Sequence, residues 1–207
     1  ALVSLTLPEK IRVGCCPRCG LVGYIDRPSQ ADIDRYYAET WMGQSTDEAI
    51  EIASSVAMSA PSPRDMDVLG SLSVDRSLPV LEIGCGYGRA VHALRKAGFT
   101  DIDATEHCPS RAEAVRRVFD IRVTTEIPER RYGLIVSSHV LEHVADPAGL
   151  IRACAERQQP GDWMIHSVPR FGGEPSCGVL FFLPHLWSFD SLGPLLSYKI
   201  LPRLMSK

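Results

Sequence analysis

The sequence predicts an α/β fold: a mostly parallel sheet with helices on both faces, plus a small N-terminal cap. Three observations predict it. From residue 79 to residue 169 short apolar runs alternate with helical patterns, and such alternation builds parallel sheets. The first run, Val80-Leu81-Glu82-Ile83, ends in the glycine-rich turn Gly84-Cys85-Gly86-Tyr87-Gly88, and a helix follows. Upstream, residues 1–28 are rich in Cys, Gly and β-branched residues, with the turn signals of short strands.

Each element has its own warrant. Gly14, Pro17-Arg18 and Gly20 punctuate short strands around Cys15, Cys16 and Cys19. Pro28-Ser29 opens a helix over 31–41, with Ile33, Tyr36 and Tyr37 on one face. A second helix runs over 47–58, with Ile50, Ala53, Val56 and Ala57 at helical spacing. Ala60-Pro61-Ser62-Pro63 breaks the chain and sets a boundary between a cap over 1–60 and a main domain over 61–207. A short helix follows over 64–72. After the strand at residue 80 and its glycine turn comes a helix over 89–97, stopped by Gly98. Then come a strand over 101–105 and a helix that starts on Pro109 and buries Ala112, Val115 and Phe119. Strands are expected over 121–123, 132–137 and 163–168. Between the last two, Asp146-Pro147 caps a helix reaching about residue 158. The tail reads as a helix over 190–197 and a strand over 198–201.

Composition narrows the function. Hydrophobic residues make up 45% of the 207 and charged residues 23%, which excludes wholesale disorder. A net charge of -3 supplies no basic field for a phosphate backbone, so nucleic acid is not an expected partner. No apolar run nears the ~18 residues that span a bilayer, so no membrane is expected either. Seven dispersed cysteines, an odd count, argue against a disulfide framework and for the reducing cytoplasm.

The glycine turn carries the strongest chemical signal. Alternating Gly84, Gly86 and Gly88 let the backbone turn sharply and bring its N–H groups near a ligand. A dinucleotide site wants G-x-G-x-x-G, and here the last glycine position falls on Arg89 or Val91. Glu106 closes the next strand, 18 residues after Gly88, where a carboxylate can accept from a ribose diol. Glu82 adds a second acid at the turn. It would repel a pyrophosphate but not a cation. The predicted ligand is therefore ribose-bearing and cationic or zwitterionic.

These residues resemble the class I S-adenosylmethionine-dependent methyltransferases, whose sheet is Rossmann-like. Glu82 to Gly88 matches their E-x-G-x-G-x-G motif, and Glu106 their second-strand acid. YGLIVSSHVLEHVADP, residues 132–147, is similar to their fourth-strand motif, and QPGDWMIHSVP, residues 159–169, to their turn and fifth strand. Gly133 stands where that family usually has Asp, and Asp162 where it has Gly; altered local packing is the expected consequence. The resemblance implies S-adenosylmethionine as cofactor and transfer of its methyl group to a carbon or oxygen of a small-molecule acceptor. It implies cofactor contacts from Glu82, Gly84, Cys85, Gly86, Gly88, Glu106, His107, Thr125, Ser137 and Ser138, and from Tyr36 or Tyr37 over the cofactor. His139 and His143 are the candidate general bases; on a helix, four residues apart, they would share a face. His166, His185 and Trp187 are candidates for the acceptor pocket. The segment around Cys16-Pro17-Arg18-Cys19 is similar to a zinc-ribbon cap of bacterial sugar C-methyltransferases. Two thiolates supply half of a four-ligand zinc site, so zinc at Cys16 and Cys19 is a secondary expectation. A rival reading is a non-catalytic S-adenosylmethionine-binding protein whose cap serves a partner.

Overall fold

The computed structural model describes residues 13–15, 22–24, 29–33, 44–71 and 74–168. The chain divides into two compact units. One comprises Ala1–Ile33, Glu142–Ala145 and Val168–Lys207; the other comprises Asp34–Leu141 and Asp146–Ser167. In the first unit, β1 (Val13–Cys15) pairs antiparallel with β2 (Val22–Tyr24), Gly14 opposite Gly23. Residues 30–33 are helical, and the Ser29 hydroxyl caps them by accepting from the Asp32 N–H. The expected helix over 31–41 is thus seen to residue 33, and the rest lies outside the described residues. So do the tail elements over 190–201.

The second unit holds the sheet. Its elements are α1 (Thr46–Met58), α2 (Pro63–Ser71), β3 (Val80–Ile83), α3 (Arg89–Lys96), β4 (Ile102–Thr105), α4 (Pro109–Phe119), β5 (Arg122–Thr124), β6 (Leu134–Ser138), α5 (Pro147–Ala155) and β7 (Trp163–Ser167). The five strands are all parallel and lie in the order β5-β4-β3-β6-β7. β3 is central, and all four of its residues are buried. That explains its unbroken apolar run around Glu82, since a strand covered on both faces does not alternate. Val80, Leu134 and Val136 face a core shared with α1, α2, α3 and α4. Leu81, Ile83 and Ile135 face the opposite side, with Tyr132 and with Cys154 of α5. The helices on both faces and the parallel sheet are as the sequence predicts.

Boundaries differ for local reasons. α1 starts on Thr46 because Ser45 and Glu48 form a reciprocal capping box. Its buried face includes Ala49 beside Ala53 and Val56. α5 ends at Ala155, short of residue 158, because the chain tightens: the Arg157 N–H donates to the Cys154 carbonyl. β5 lies one residue further along than expected, and β6 starts two residues later, at Leu134, and ends one later, at Ser138. Both departures from the resembled motifs have packing explanations. A Cβ at Gly133 would lie 2.5 Å from Cδ1 of Leu78, so glycine there admits Leu78 against the sheet. Asp162 closes the turn before β7, its carboxylate accepting from the Gln159 N–H at 2.5 Å.

A polar network buttresses the amino end of β4 and β6. Buried Asp103 accepts from the Tyr132 hydroxyl at 2.8 Å and from Arg130 at 3.2 Å, and Arg130 also pairs with Asp101. A buried carboxylate is tolerable when it is so satisfied.

Candidate functional site

The site begins with three glycines in the left-handed region: Gly84 at φ +69°, Gly86 at +53° and Gly88 at +82°. A Cβ at Gly84 would lie 2.7 Å from Val140, and one at Gly88 would lie 2.4 Å from Phe119. A Cβ at Gly86 would meet nothing within 4 Å. The outer glycines therefore pack the turn between β3 and α3, and the middle one faces open space.

The sequence reading expects the turn to offer its N–H groups to a ligand. The structure corrects this. The Gly84 N–H donates to Oγ1 of Thr105 at 3.1 Å, the Cys85 N–H to the Thr105 carbonyl at 2.9 Å, and the Gly86 N–H to Oε2 of Glu106 at 2.8 Å. The Gly88 N–H closes the turn onto the Cys85 carbonyl. The turn is clasped to the end of β4, so these four donors are spent inside the protein. Glu106 is the centre of that clasp, because its Oε1 accepts from the Cys108 N–H at 2.9 Å. Each carboxylate oxygen has a second lone pair. A vicinal diol can still be received there, with the carboxylate held in place by two backbone donors.

Glu82 lies beneath the turn, buried at 3% exposure. One of its oxygens has no hydrogen-bond partner, and a backbone bond from Val91 in the first turn of α3 holds the group. Burial pushes its carboxyl up to about 8; the nearby acids Glu106 and Asp65 push the same way, and the Val91 bond opposes them. The folded protein thus holds a proton here that the unfolded chain, with an ordinary value of 4.5, gives up. A raised carboxyl stabilises the fold fully below the unfolded value, and that contribution fades as pH rises through about 8. Glu82→Gln should therefore flatten the dependence of the urea midpoint on pH across that window. A wild-type slope preserved in the variant would assign the proton to another group.

The tip of the turn is held from above. The Tyr87 hydroxyl donates to Gln44, just before the α1 cap, and the Arg111 guanidinium lies 5.2 Å over the Tyr87 ring. Sequence reasoning misses Gln44, Thr105, Cys108 and Arg111. Only the S-x-x-E signature after Gln44 gave a readable hint.

At the carboxyl end of β6, Ser137 is buried and Ser138 is exposed. Ser137 is in register with His166 of β7, and its hydroxyl lies 2.6 Å from His166 Nδ1. His139 follows with φ +57°, its N–H donating to the Ser167 carbonyl and its side chain exposed. Left-handed backbone at a histidine costs about 1–2 kcal/mol, and such strain concentrates at functional positions. A 3₁₀ turn over Leu141–His143 comes next, so residues 139–143 are not one α-helix. The shared face expected for His139 and His143 is lost. In the first unit, His143 Nε2 lies 3.8 Å from a Glu142 oxygen.

A cavity of about 270 Å³ lies between α2, α3 and the carboxyl ends of β6 and β7. Leu69, Ala93, Leu94, Val136 and Ile165 give it apolar walls. His107 and Thr125 are exposed near the ends of β4 and β5. Tyr36, Tyr37, His185, Trp187, Cys16 and Cys19 lie outside the described residues. Among the described residues, no group of three or more His, Cys, Asp or Glu is placed to hold a metal, and no helix is long and apolar enough to cross a membrane.

Residues 57–185, more than half of the chain, match a family model described as a methyltransferase domain. A ubiquinone biosynthesis O-methyltransferase of Hydrogenovibrio crunogenus is 27% identical over 156 residues, 68% of this chain and 60% of that protein. One of the same name from Bordetella bronchiseptica is 34% identical over 114 residues, 49% of this chain and 46% of that protein. The chain spans about half the length of the curated relatives it matches. Among solved structures, coclaurine N-methyltransferase bound to N-methylheliamine and S-adenosylhomocysteine shares the fold. Its TM-score is 0.50 at 14% identity, over 66% of this chain and 47% of that one.

Proposed function

The chain belongs to the methyltransferase-domain family and has the class I S-adenosylmethionine-dependent fold, and on that premise we propose that it transfers a methyl group to a hydroxyl of a small-molecule acceptor. One observation carries the reading. The Glu106 carboxylate is pinned by the Gly86 and Cys108 N–H groups beside an open glycine, with a lone pair left on each oxygen for a ribose diol. The spent N–H groups of the turn fit a ligand without a pyrophosphate. The names of the relatives favour oxygen over carbon as the accepting atom.

When bound, S-adenosylmethionine supplies an electrophilic methyl group on a sulfonium. The chain's own residues then do the rest. Glu106 receives the ribose, with His107 and Thr125 flanking the base. Ser137 and Ser138 face the end of the cofactor where transfer occurs. Alignment of donor and acceptor supplies much of the acceleration. His139, on the exposed strand end, takes the acceptor hydroxyl's proton at its imidazole, and His143 supports the loop.

Calorimetry tests the reading directly. S-adenosylmethionine and S-adenosylhomocysteine should bind at micromolar levels, and NAD should not bind. Binding of NAD, or of neither adenosyl compound, overturns it.

A further inference from the structure

We propose that Arg116, on the outer face of α4, is a positioning residue for the cofactor: it braces β5 and, through β5, keeps the Glu106 carboxylate aimed at the ribose diol. This rests on the methyl-transfer reading and on the place given there to the ribose, and it names a residue that acts through others. β5 is three residues long and ends the sheet order, so among the described residues it is bonded to a strand on one side alone. On that side the Thr124 carbonyl accepts from the Glu106 N–H at 2.9 Å, with Thr124 opposite Thr105 in the register. Neighbouring residues of a strand turn their backbone groups to opposite sides, so the Val123 carbonyl faces away from β4. Arg116 takes that carbonyl, Nε donating at 3.1 Å and Nη2 at 2.9 Å. Its remaining nitrogen, Nη1, pairs with Glu113 one turn earlier at 3.1 Å. Every nitrogen of the guanidinium is engaged, and its planar fork is held in one orientation.

These bonds close a circuit that begins and ends on Glu106. The Glu106 N–H is held by Thr124 of β5. Val123, the residue before it, is held by Arg116 of α4. Cys108, at the N-cap of α4, gives its N–H to Glu106 Oε1 at 2.9 Å. The backbone of Glu106 is thus fixed by β5 and its side chain by the start of α4, and Arg116 ties the far end of α4 to β5. A carboxylate meets a vicinal diol through both of its oxygens, so a small rotation of Glu106 costs the ribose contact and leaves the cofactor's other contacts in place. The signature of a lost brace is therefore reduced selectivity for the diol rather than a uniform loss of affinity. Arg117 supplies the comparison. It carries the same charge and shares Glu113, with Nε 2.6 Å from Oε1, but makes no bond to Val123.

Calorimetry on the whole chain with S-adenosylhomocysteine and its 2′-deoxyribose counterpart tests this. Wild-type protein should prefer the diol by about 10-fold or more, the worth of a hydrogen bond to a charged acceptor. Arg116→Ala should cut that preference by about 3- to 10-fold, within the range for coupling carried through packed networks. Arg116→Met, which keeps the stem but no donor, should behave as the alanine variant does. Arg116→Lys, which keeps one donor, should restore part of the preference, and Arg117→Ala should leave it as in wild type. Thermal melting checks that each variant is folded. A residue of merely structural worth would weaken both probes alike, so an unchanged preference in folded Arg116→Ala or Arg116→Met overturns the inference. So does an equal loss in Arg117→Ala, which would make charge rather than the bond to Val123 the cause. If S-adenosylhomocysteine binds wild type with no preference for the diol, the ribose does not sit on Glu106 and the inference falls with that placement. If it does not bind at all, the methyltransferase reading itself fails.

Discussion

Glu106→Ala should weaken S-adenosylhomocysteine binding by roughly 10- to 150-fold, the equivalent of the ~1.5–3 kcal/mol carried by a hydrogen bond to a charged acceptor. The structure adds a second effect. The same carboxylate pins the Gly86 and Cys108 N–H groups, so its loss also loosens the clasp between the glycine turn and β4. Urea unfolding should show a loss of stability of about 1–3 kcal/mol for the stranded donors. Glu106→Gln separates the two effects. Its amide oxygen can still receive one N–H, but its NH₂ faces the other, so its affinity should fall between those of wild type and Glu106→Ala. An unchanged dissociation constant in the alanine variant would place the ribose elsewhere.

The second large effect is at His139. His139→Ala should lower turnover by ~10²–10⁴-fold and leave S-adenosylhomocysteine affinity nearly intact. The left-handed backbone sharpens the test. His139→Gly removes the same side chain but relieves the strain of φ +57°, so it should be as inactive as the alanine variant and about 1 kcal/mol more stable than it. A more stable, inactive variant is the mark of strain kept for function. His143→Ala should reduce turnover only modestly. Full activity in both histidine variants would mean that alignment alone drives the transfer. A dead but folded His143→Ala beside an active His139→Ala would reverse the two roles.

Local signals were legible in the sequence and long-range ones were not. Gly84, Gly86 and Gly88 were readable because only glycine adopts their backbone easily, and the order of strand, turn and helix follows from hydrophobic period. Asp146-Pro147 announced the start of α5 by its own chemistry, and the Asp146 side chain does accept from the Gly149 N–H. The fate of the turn's N–H groups was hidden, since it depends on the register by which Thr105 and Glu106 meet residues some 20 positions earlier. The Ser137–His166 pair was hidden for the same reason. His139 and His143 show the opposite failure: a spacing that reads as helical falls on a left-handed residue and a 3₁₀ turn. Gly133 looked like a lost motif residue and proves to be room for Leu78.

The strand order β5-β4-β3-β6-β7 has an evolutionary consequence. The chain builds one side of the sheet, returns to the middle, and then builds the other. Most of the groups proposed to hold the cofactor, from Glu82 to Thr125, come from the first pass; Ser137 and Ser138, at its reacting end, come from the second. The proposed base, His139, and the acceptor-pocket candidate His166 come from the second as well. A lineage can therefore retune what is methylated by drift within one contiguous stretch of gene, leaving most of the inherited donor grip untouched. Recombination at the single crossover between β5 and β6 would exchange acceptor preference as a block.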